Sequence, residues 1–370
     1  MILHIIIDDK FTEIGVQTFE RLHPGKNKSL LFSKSEEFRY LKRKPDILVS
    51  PHLWLLRPTL WASIRSADAV VIHYLTEISL VIPLIIPRRK KILWIGWGGD
   101  YYHHFEDKGY KLYGPHTEQA VQLFEPQLTW NQRVKKRIKH IIFNASIKRI
   151  TFFSPVILDD FDLLGKFYPN SKMMYLPWNY GSPSSQSVEL KDLPNLGPNI
   201  LIGNSASYSN NHLELFEILK NVDLTGRKLI VPLSYGPTEY RDYVISKGKE
   251  LFGRSFIPLT EFMPIHEYEK FLLSCSFVMM NQYRQQAVGN IVIMVRFGAK
   301  IFLSIKNPYY ETCKRGEIEV YPIEEMLSNK ERIFEPITEN TKLNNKRNLS
   351  ALYNDSLIEE ETKTIIEALL

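Results

Sequence analysis

One polar loop, residues 281–290, combines a cationic side chain with residues that commonly begin a helix. It follows an apolar run that ends at Met280. Its polar residues and its helix start are Arg284, Gln285, Gln286, Gly289 and Asn290. A guanidinium group forms paired hydrogen bonds with phosphate oxygens, and the first turn of a helix carries partial positive charge. We therefore predict that this loop contacts a diphosphate; a polar surface loop without a ligand is the alternative.

Three other loops follow apolar runs in the same half of the chain. The sequence GNSAS begins with Gly203, Asn204 and Ser205, whose small size lets a backbone approach a phosphate or a sugar closely. Tyr235 could stack on a base or a sugar, and Glu261 could accept a hydrogen bond from a hydroxyl group. Each of these loops also fits an ordinary capped or solvated connection, so their common position after strands is what favours a binding site.

A carboxylate lies among glycines in the first half of the chain, in the sequence WGGDYYHH of residues 97–104. Asp100 is a candidate general base that would take a proton from an acceptor hydroxyl. His103 and His104 are competing candidates because an imidazole can perform the same proton transfer. A turn aspartate that caps the next segment is the alternative interpretation.

Residues 131–149 predict a basic amphipathic helix. Its cations are Arg133, Lys135, Lys136, Arg137, Lys139, Lys148 and Arg149, and its apolar residues at helical spacing are Val134, Ile138, Ile141, Ile142 and Ala145. Such a helix can lie on anionic lipid, or it can pack an apolar stripe on a core and leave the cations in water. No aromatic-interleaved basic motif accompanies it, so we predict no nucleic-acid partner.

We predict no metal and no cofactor. The two cysteines, Cys275 and Cys313, form no zinc-binding pattern and favour a reducing compartment. Asp160-Phe161-Asp162 imitates a D-x-D metal motif, but it lies in a helical pattern, where side chains two residues apart do not face the same way.

The elements that position these residues are short apolar runs alternating with amphipathic stretches, which predicts an α/β protein with parallel sheets. We expect a first domain over 1–180, a polar linker over 181–197, a second domain over 198–345, and a C-terminal helix within 346–370 that could pack back on the first domain. Two such domains place a ligand cleft between them, at the carboxyl ends of their strands.

The composition is compatible with this organisation. A chain of 370 residues usually forms more than one core, and a net charge of +6 suits an anionic partner. No apolar run reaches the roughly 20 residues that span a bilayer, and the apolar run of the N-terminus is too short for a signal peptide. We expect a cytoplasmic protein, peripheral on the inner face of the cell membrane.

The runs ILIGNSASYSNNHLELFEIL and IVPLSYG, with the Arg284-Gln285-Gln286 loop and Gly289, resemble the bacterial 4-acetamido-4,6-dideoxygalactose (N-acetylfucosamine) transferase family of enterobacterial common antigen synthesis. Trp97-Gly98-Gly99-Asp100-Tyr101 is similar to that family's W-G-A-D-x-Y signature, with glycine at 99 in place of the usual alanine. The order and spacing of the motifs agree from about residue 90 to 325, whereas the first 60 residues and the tail match poorly.

This resemblance implies a GT-B architecture in which the first domain binds the acceptor and the second binds a nucleotide-diphosphate sugar. It implies an inverting, metal-independent transfer of an amino-deoxy sugar from a dTDP-sugar to an undecaprenyl-diphosphate-linked saccharide. A capsule or O-antigen transferase with another nucleotide sugar, and a non-catalytic nucleotide-sugar-binding protein of the same pathway, are the alternatives.

Overall fold

The computed structural model describes residues 1–180, 193–326, 328 and 332–370, so residues 181–192 of the predicted linker lie outside the described residues. The chain forms two compact units. The first contains residues 1–109, 354–370 and the described residues of 128–181, and the second contains residues 110–127 and the described residues of 182–353. Elements are numbered below in chain order through both units.

The described residues of the first unit contain a parallel sheet. Its strands are β1 (Ile2–Ile6), β2 (Asn27–Phe32), β3 (Ile47–Val49), β4 (Ala69–His73), β5 (Lys91–Gly96), β6 (Phe152–Pro155) and β7 (Met174–Tyr175), in the order β3-β2-β1-β4-β5-β6-β7. The central strands β1 and β4 are buried throughout, as expected for a sheet covered on both faces.

The helices of the first unit follow or precede these strands. They are α1 (Lys10–Leu22), α2 (Pro58–Ser66), α3 (Ile82–Ile85), α4 (Tyr102–Glu106), α6 (Trp130–Ile147), α7 (Leu158–Phe167) and α14 (Asp355–Leu369). The last of them, α14, packs against α1, where Arg21 pairs with Glu359 at 2.8 Å. Its Ile365 and Leu369 are buried in the core formed around Ile2 and Phe19.

The second unit repeats the same strand order. Its strands are β8 (Asn199–Ile202), β9 (Leu229–Pro232), β10 (Phe256–Leu259), β11 (Cys275–Met280), β12 (Lys300–Leu303) and β13 (Tyr321–Pro322), arranged β10-β9-β8-β11-β12-β13 and all parallel. Its helices are α5 (Pro115–Phe124), α8 (His212–Leu219), α9 (Thr238–Phe252), α10 (Ile265–Leu273), α11 (Val288–Arg296), α12 (Pro308–Arg315) and α13 (Glu339–Leu352). Both units are therefore doubly wound α/β sheets.

The units differ from the predicted domain limits at residues 110–127, which the sequence pattern groups with the first domain. Here α5 packs in the core of the second unit through Ala120. The Thr117 backbone N–H and hydroxyl donate to the two carboxylate oxygens of Glu214, at 2.8 and 2.6 Å. The Gly114 N–H donates to Asn211 Oδ1 at 2.9 Å. These buried contacts hold the segment in the second unit.

The C-terminal region forms two helices where the sequence predicts one within 346–370. The first, α13, ends at Leu352 and belongs to the second unit. Asn354 then caps α14 by accepting a hydrogen bond from Leu357 N–H at 2.8 Å, and α14 belongs to the first unit. An asparagine N-cap starts a new helix because it satisfies a backbone donor that has no partner inside the helix.

Candidate active site

Two predicted binding loops lie at the point where the strand order of the second sheet reverses. The loop that starts at Gly203 follows β8, and the loop that starts at Asn281 follows β11, the neighbouring strand on the other side of the reversal. Helices leave the sheet on opposite faces at this position and open a crevice above the carboxyl ends of the strands. The topology therefore brings residues far apart in sequence to one place.

Four predicted residues form one hydrogen-bonded chain at this place. The Asn204 amide donates to Tyr235 Oη at 2.9 Å and accepts from Gln286 Nε2 at 2.8 Å. Gln286 Oε1 in turn accepts from Arg284 Nε at 2.9 Å. Because the guanidinium is held through Nε, its orientation is fixed by the amide beside it. The ring of Tyr235, 58% exposed at the end of the chain, offers a face for stacking.

Gly203 is required for two separate reasons. Its φ is +63°, in the left-handed region that favours glycine. A Cβ at this position would lie 2.9 Å from both Asn210 Oδ1 and His212 Nε2. Asn210 Oδ1 already accepts hydrogen bonds from Asn204 N–H at 3.0 Å and Gln282 Nε2 at 2.8 Å, so it is not free to move.

The helix that follows the loop of Arg284 begins at Val288, one residue before the predicted start at Gly289. Its N-cap, Ala287, has a φ of +61°, an unusual conformation for a residue with a Cβ. Asn290 lies in the first turn and donates from Nδ2 to Tyr268 Oη at 3.2 Å. Strained backbone next to a binding loop is common at functional sites, where surrounding contacts hold it in place.

The remaining predicted residues of the second unit occupy different surroundings. Ser205 is fully buried and accepts a hydrogen bond from Asn210 Nδ2 at 3.0 Å, so it supports the loop. Gln285 is buried next to Gln286. Glu261 is exposed on the bend after β10, and among the described residues it has no hydrogen-bond partner. The structure does not bring Glu261 into the chain of polar contacts.

In the first unit, Asp100 is 2% exposed and accepts hydrogen bonds from three N–H groups. Oδ2 accepts from Trp94 Nε1 at 2.8 Å and from Leu75 N–H at 3.1 Å, and Oδ1 accepts from Trp97 N–H at 2.9 Å. Burial raises the pKa of this carboxyl to about 6, although the three donors oppose the shift. The backbone N–H of Asp100 itself adds a further, smaller contribution that lowers the pKa.

Asp100 also fixes the shape of the loop of residues 97–101, which we call the glycine loop. Gly98 has a φ of +89°, and its carbonyl accepts from the N–H groups of Tyr101 and Tyr102 at 3.2 and 3.1 Å. Together with the bond to Trp97, these contacts make the turn that the alternative interpretation of the sequence expects. Asp100 is thus a structural carboxylate whose pKa also lies in the range of a general base.

Both Asp100 and His103 line a pocket of about 680 Å³ on the first unit, which we call the lysine pocket. Its other polar lining residues include Thr76, Glu77, Lys135, Lys136 and Lys139. Surrounding atoms partly desolvate the imidazole of His103, which lowers its pKa although Asp107 opposes the shift. The ring is neutral near pH 7 and able to accept a proton.

His104, the third candidate base, also lines this pocket, but it is 4% exposed. Its ring stacks on Phe143 with centroids 3.7 Å apart, and burial lowers its pKa to about 2. One ring nitrogen of His104 lies within 4.8 Å of a carboxylate oxygen of Asp107 and of a ring nitrogen of His140. Histidine and aspartate are residue types that can bind a metal ion. Asp107 is already paired with Lys136 at 2.6 Å, and that ammonium group opposes a second cation.

Sequence reasoning did not assign a supporting role to three polar residues of the second-unit site. Ser209 Oγ donates to Gln286 Oε1 at 2.6 Å, and Asn210 and Gln282 are fully buried in the contacts described above. The run Ser209-Asn210-Asn211 signals a helix cap in the sequence. Three adjacent polar residues between apolar elements could also have indicated a buried hydrogen-bond network.

Two doubly wound parallel sheets in one chain are the architecture of the GT-B fold. Solved structures with this fold cover the whole chain at low identity. They include sucrose-phosphate synthase from Thermosynechococcus elongatus, with 12% identity, 100% of this chain and 98% of that chain covered and a TM-score of 0.62. A glycosyltransferase from Rickettsia africae matches with 12% identity, the same coverages and a TM-score of 0.63. WaaG, a glycosyltransferase involved in lipopolysaccharide biosynthesis, matches with 11% identity, 100% and 99% coverage and a TM-score of 0.56.

The family is defined by a more specific match. The model of the 4-alpha-L-fucosyltransferase family, glycosyl transferase group 56, matches residues 166–365, more than half of the chain. The chain belongs to this family and is a glycosyltransferase. The match includes the loops that carry Gly203, Asn204, Arg284 and Gln286, and it begins after the glycine loop of the first unit.

Proposed function

We propose that this glycosyltransferase transfers an N-acetylfucosamine-like sugar, with inversion, from a dTDP-sugar to an undecaprenyl-diphosphate-linked saccharide. The hydrogen-bonded chain Tyr235–Asn204–Gln286–Arg284 carries the proposal. It lies within the family match and at the strand reversal, and it ends in a cation whose orientation is fixed. The family description supports a deoxy sugar as the group transferred.

In the proposed reaction, an acceptor hydroxyl oxygen attacks the anomeric carbon of the sugar. The bond between this carbon and the β-phosphate oxygen breaks on the opposite face, and dTDP leaves with the bonding electron pair. Arg284 and the first turn of α11 would stabilise the negative charge on the leaving diphosphate. The hydroxyl proton passes to a base of the first unit, for which Asp100 and His103 are the candidates.

The two candidate bases differ in their surroundings and in their accessibility. Asp100 lines the lysine pocket, and its carboxylate accepts from three N–H groups of neighbouring residues. His103 has a neutral ring and is more accessible. We favour Asp100 as the base because a pKa of about 6 keeps it ionised at pH 7 and still basic enough to accept a proton.

Peripheral contact with an anionic membrane is part of the proposal. No helix among the described residues is both long and apolar enough to cross a bilayer. On α6, however, apolar side chains at helical spacing face solvent: Trp130 is 76% exposed and Ile141 60%, with Val134 and Ile138 between them. Exposed apolar residues beside cations are typical of helices that lie in a lipid interface.

Calorimetric titration of dTDP, UDP and GDP, each with and without EDTA, tests the donor assignment. We expect dTDP to bind most tightly, to be insensitive to EDTA, and to lose roughly tenfold or more in affinity in Arg284→Ala, since a charged hydrogen bond to phosphate is lost. Arg241→Ala is the matched control because this arginine lies on α9 beside Asp242, outside the network.

A preference for UDP or GDP would discard the thymidine nucleotide and favour a capsule or O-antigen transferase. Nucleotide binding without transfer to any acceptor would favour a non-catalytic binding protein. Equal losses in Arg284→Ala and Arg241→Ala would remove Arg284 from the diphosphate site.

A further inference from the structure

The helix α6 changes its surroundings along its length. In its C-terminal half one face is buried through Phe143, Ser146 and Ile147. Continued toward the N-terminus at 3.6 residues per turn, the same face carries Lys139, Lys136, Lys135 and Gln132. These residues no longer meet the core and instead line the lysine pocket.

The exposed apolar stripe occupies the other side of the helix. At about 100° per residue, Trp130, Val134, Ile138 and Ile141 centre roughly opposite the lysine face. If the apolar stripe meets lipid, the pocket lysines therefore point away from the bilayer and toward Asp100 and His103. The positive charge of these lysines therefore needs an anionic partner other than the lipid surface.

Three lysines and two carboxylates, those of Glu77 and Asp100, line the pocket. Lys139 pairs with Glu77, which also lines the pocket, and Lys136 pairs with Asp107 at 2.6 Å. Lys135 has no ion-pair partner among the described residues. Thr76 also lines the pocket, and its hydroxyl forms a hydrogen bond with Ser79 Oγ at 3.0 Å. Ammonium groups around an open volume next to a candidate base suit a multiply charged phosphate group.

We propose that the lysine pocket binds the diphosphate group of the lipid-linked acceptor. This inference rests on the proposed function, and it adds a binding site on the first unit. The bound diphosphate would place the first sugar of the acceptor near Asp100 and His103, while the lipid chain would leave along the apolar side of α6. Glu77 competes with the ligand for Lys139, so it weakens binding until the ligand displaces it.

Titration of geranyl diphosphate into the full chain, with excess dTDP present to fill the donor site, tests the proposal. We expect Lys135→Gln to weaken binding roughly tenfold, since one charged contact is lost. Arg137→Gln removes the same charge from the apolar side of α6 and should change the affinity by no more than about twofold. Glu77→Gln should strengthen binding, an effect that loss of structure does not produce.

Inorganic diphosphate and phosphatidylglycerol vesicles separate the sources of phosphate. Inorganic diphosphate should show the same order of variants with lower affinity. Vesicle binding should fall in Arg137→Gln and Ile141→Ser and persist in Lys135→Gln. Equal effects of Lys135→Gln and Arg137→Gln on geranyl diphosphate, weaker binding in Glu77→Gln, or loss of vesicle binding in Lys135→Gln alone would each overturn the proposal.

The same titrations distinguish this proposal from the proposed function. Tight dTDP binding with no binding of geranyl diphosphate would remove the lysine pocket and leave the donor assignment intact. Binding of geranyl diphosphate that follows the expected order of variants, with no binding of any nucleotide, would retain the pocket and remove the proposed donor.

Discussion

The buried carboxyl of Asp100 should make the stability of the first unit depend on pH in a defined direction. Burial raises its pKa from 3.8 to about 6 in the folded chain. The folded state therefore binds this proton more tightly than the unfolded state between about pH 4 and 6. The stabilisation from protonation is fully present below pH 4 and is lost as the pH rises through 6.

The size of this effect follows from the shift. A shift of about two pKa units corresponds to about 3 kcal/mol in the free energy of unfolding. About 2 kcal/mol of this lies between pH 4.5 and 7.5, the range in which unfolding is most easily measured. Asp100→Asn has no titrating group at this position. The stability of the wild type relative to Asp100→Asn should therefore fall by about 2 kcal/mol across this range.

Urea unfolding followed by tryptophan fluorescence measures this difference, because all six tryptophans lie in the first unit. The difference between the two proteins removes the contributions of other titrating groups, including Glu361, whose pKa burial raises to about 7. Asp162→Asn, which changes an exposed carboxylate of α7, is the matched control. A constant difference between wild type and Asp100→Asn from pH 4.5 to 7.5 would refute the reasoning.

Two further predictions concern glycines. Gly98→Ala should destabilise the first unit by about 1–2 kcal/mol because the φ of Gly98 is +89°. Gly99→Ala should be tolerated with a small shift of Tyr74, whose Oη would lie 3.1 Å from the new Cβ. Unfolding followed by fluorescence compares the two variants, and equal losses of stability would contradict this prediction. Gly203→Ala should reduce the affinity for dTDP, whereas Gly226→Ala should have only the backbone strain and bind dTDP normally, since Gly226 has a φ of +76° and no atom within 4 Å of an added Cβ. Calorimetry measures dTDP affinity and thermal unfolding measures the strain. Normal dTDP binding by Gly203→Ala would show that this loop does not contact the donor.

Several strands that contain an uninterrupted run of three or four apolar residues can be predicted from sequence. The apolar runs of the sequence predict strands at Ala69–His73, Asn199–Ile202 and Lys300–Leu303, and the structure has strands with these limits. Three strands were not predicted, and one of them, Tyr321–Pro322, has only two residues. Asn27–Phe32 begins with three polar residues, and Ile47–Val49 is too short for a periodic pattern to appear.

Part of the candidate site is also visible in the sequence. Asn204, Tyr235, Arg284 and Gln286 each follow a predicted strand of one parallel sheet, so their common edge can be inferred before their contacts are known. The lysine pocket cannot be inferred in this way. It depends on where α6 leaves the core, a tertiary feature that helical spacing alone does not contain.

The place of α14 in the first unit has a consequence for the order in which the protein is made. Most of that unit is synthesised first, yet Ile365 and Leu369 complete the core around Ile2 and Phe19. The second unit needs no residue beyond 353. During translation, therefore, the second unit can close its core while the first still lacks a helix, and the part of the chain that leaves the ribosome earliest is the last to be finished.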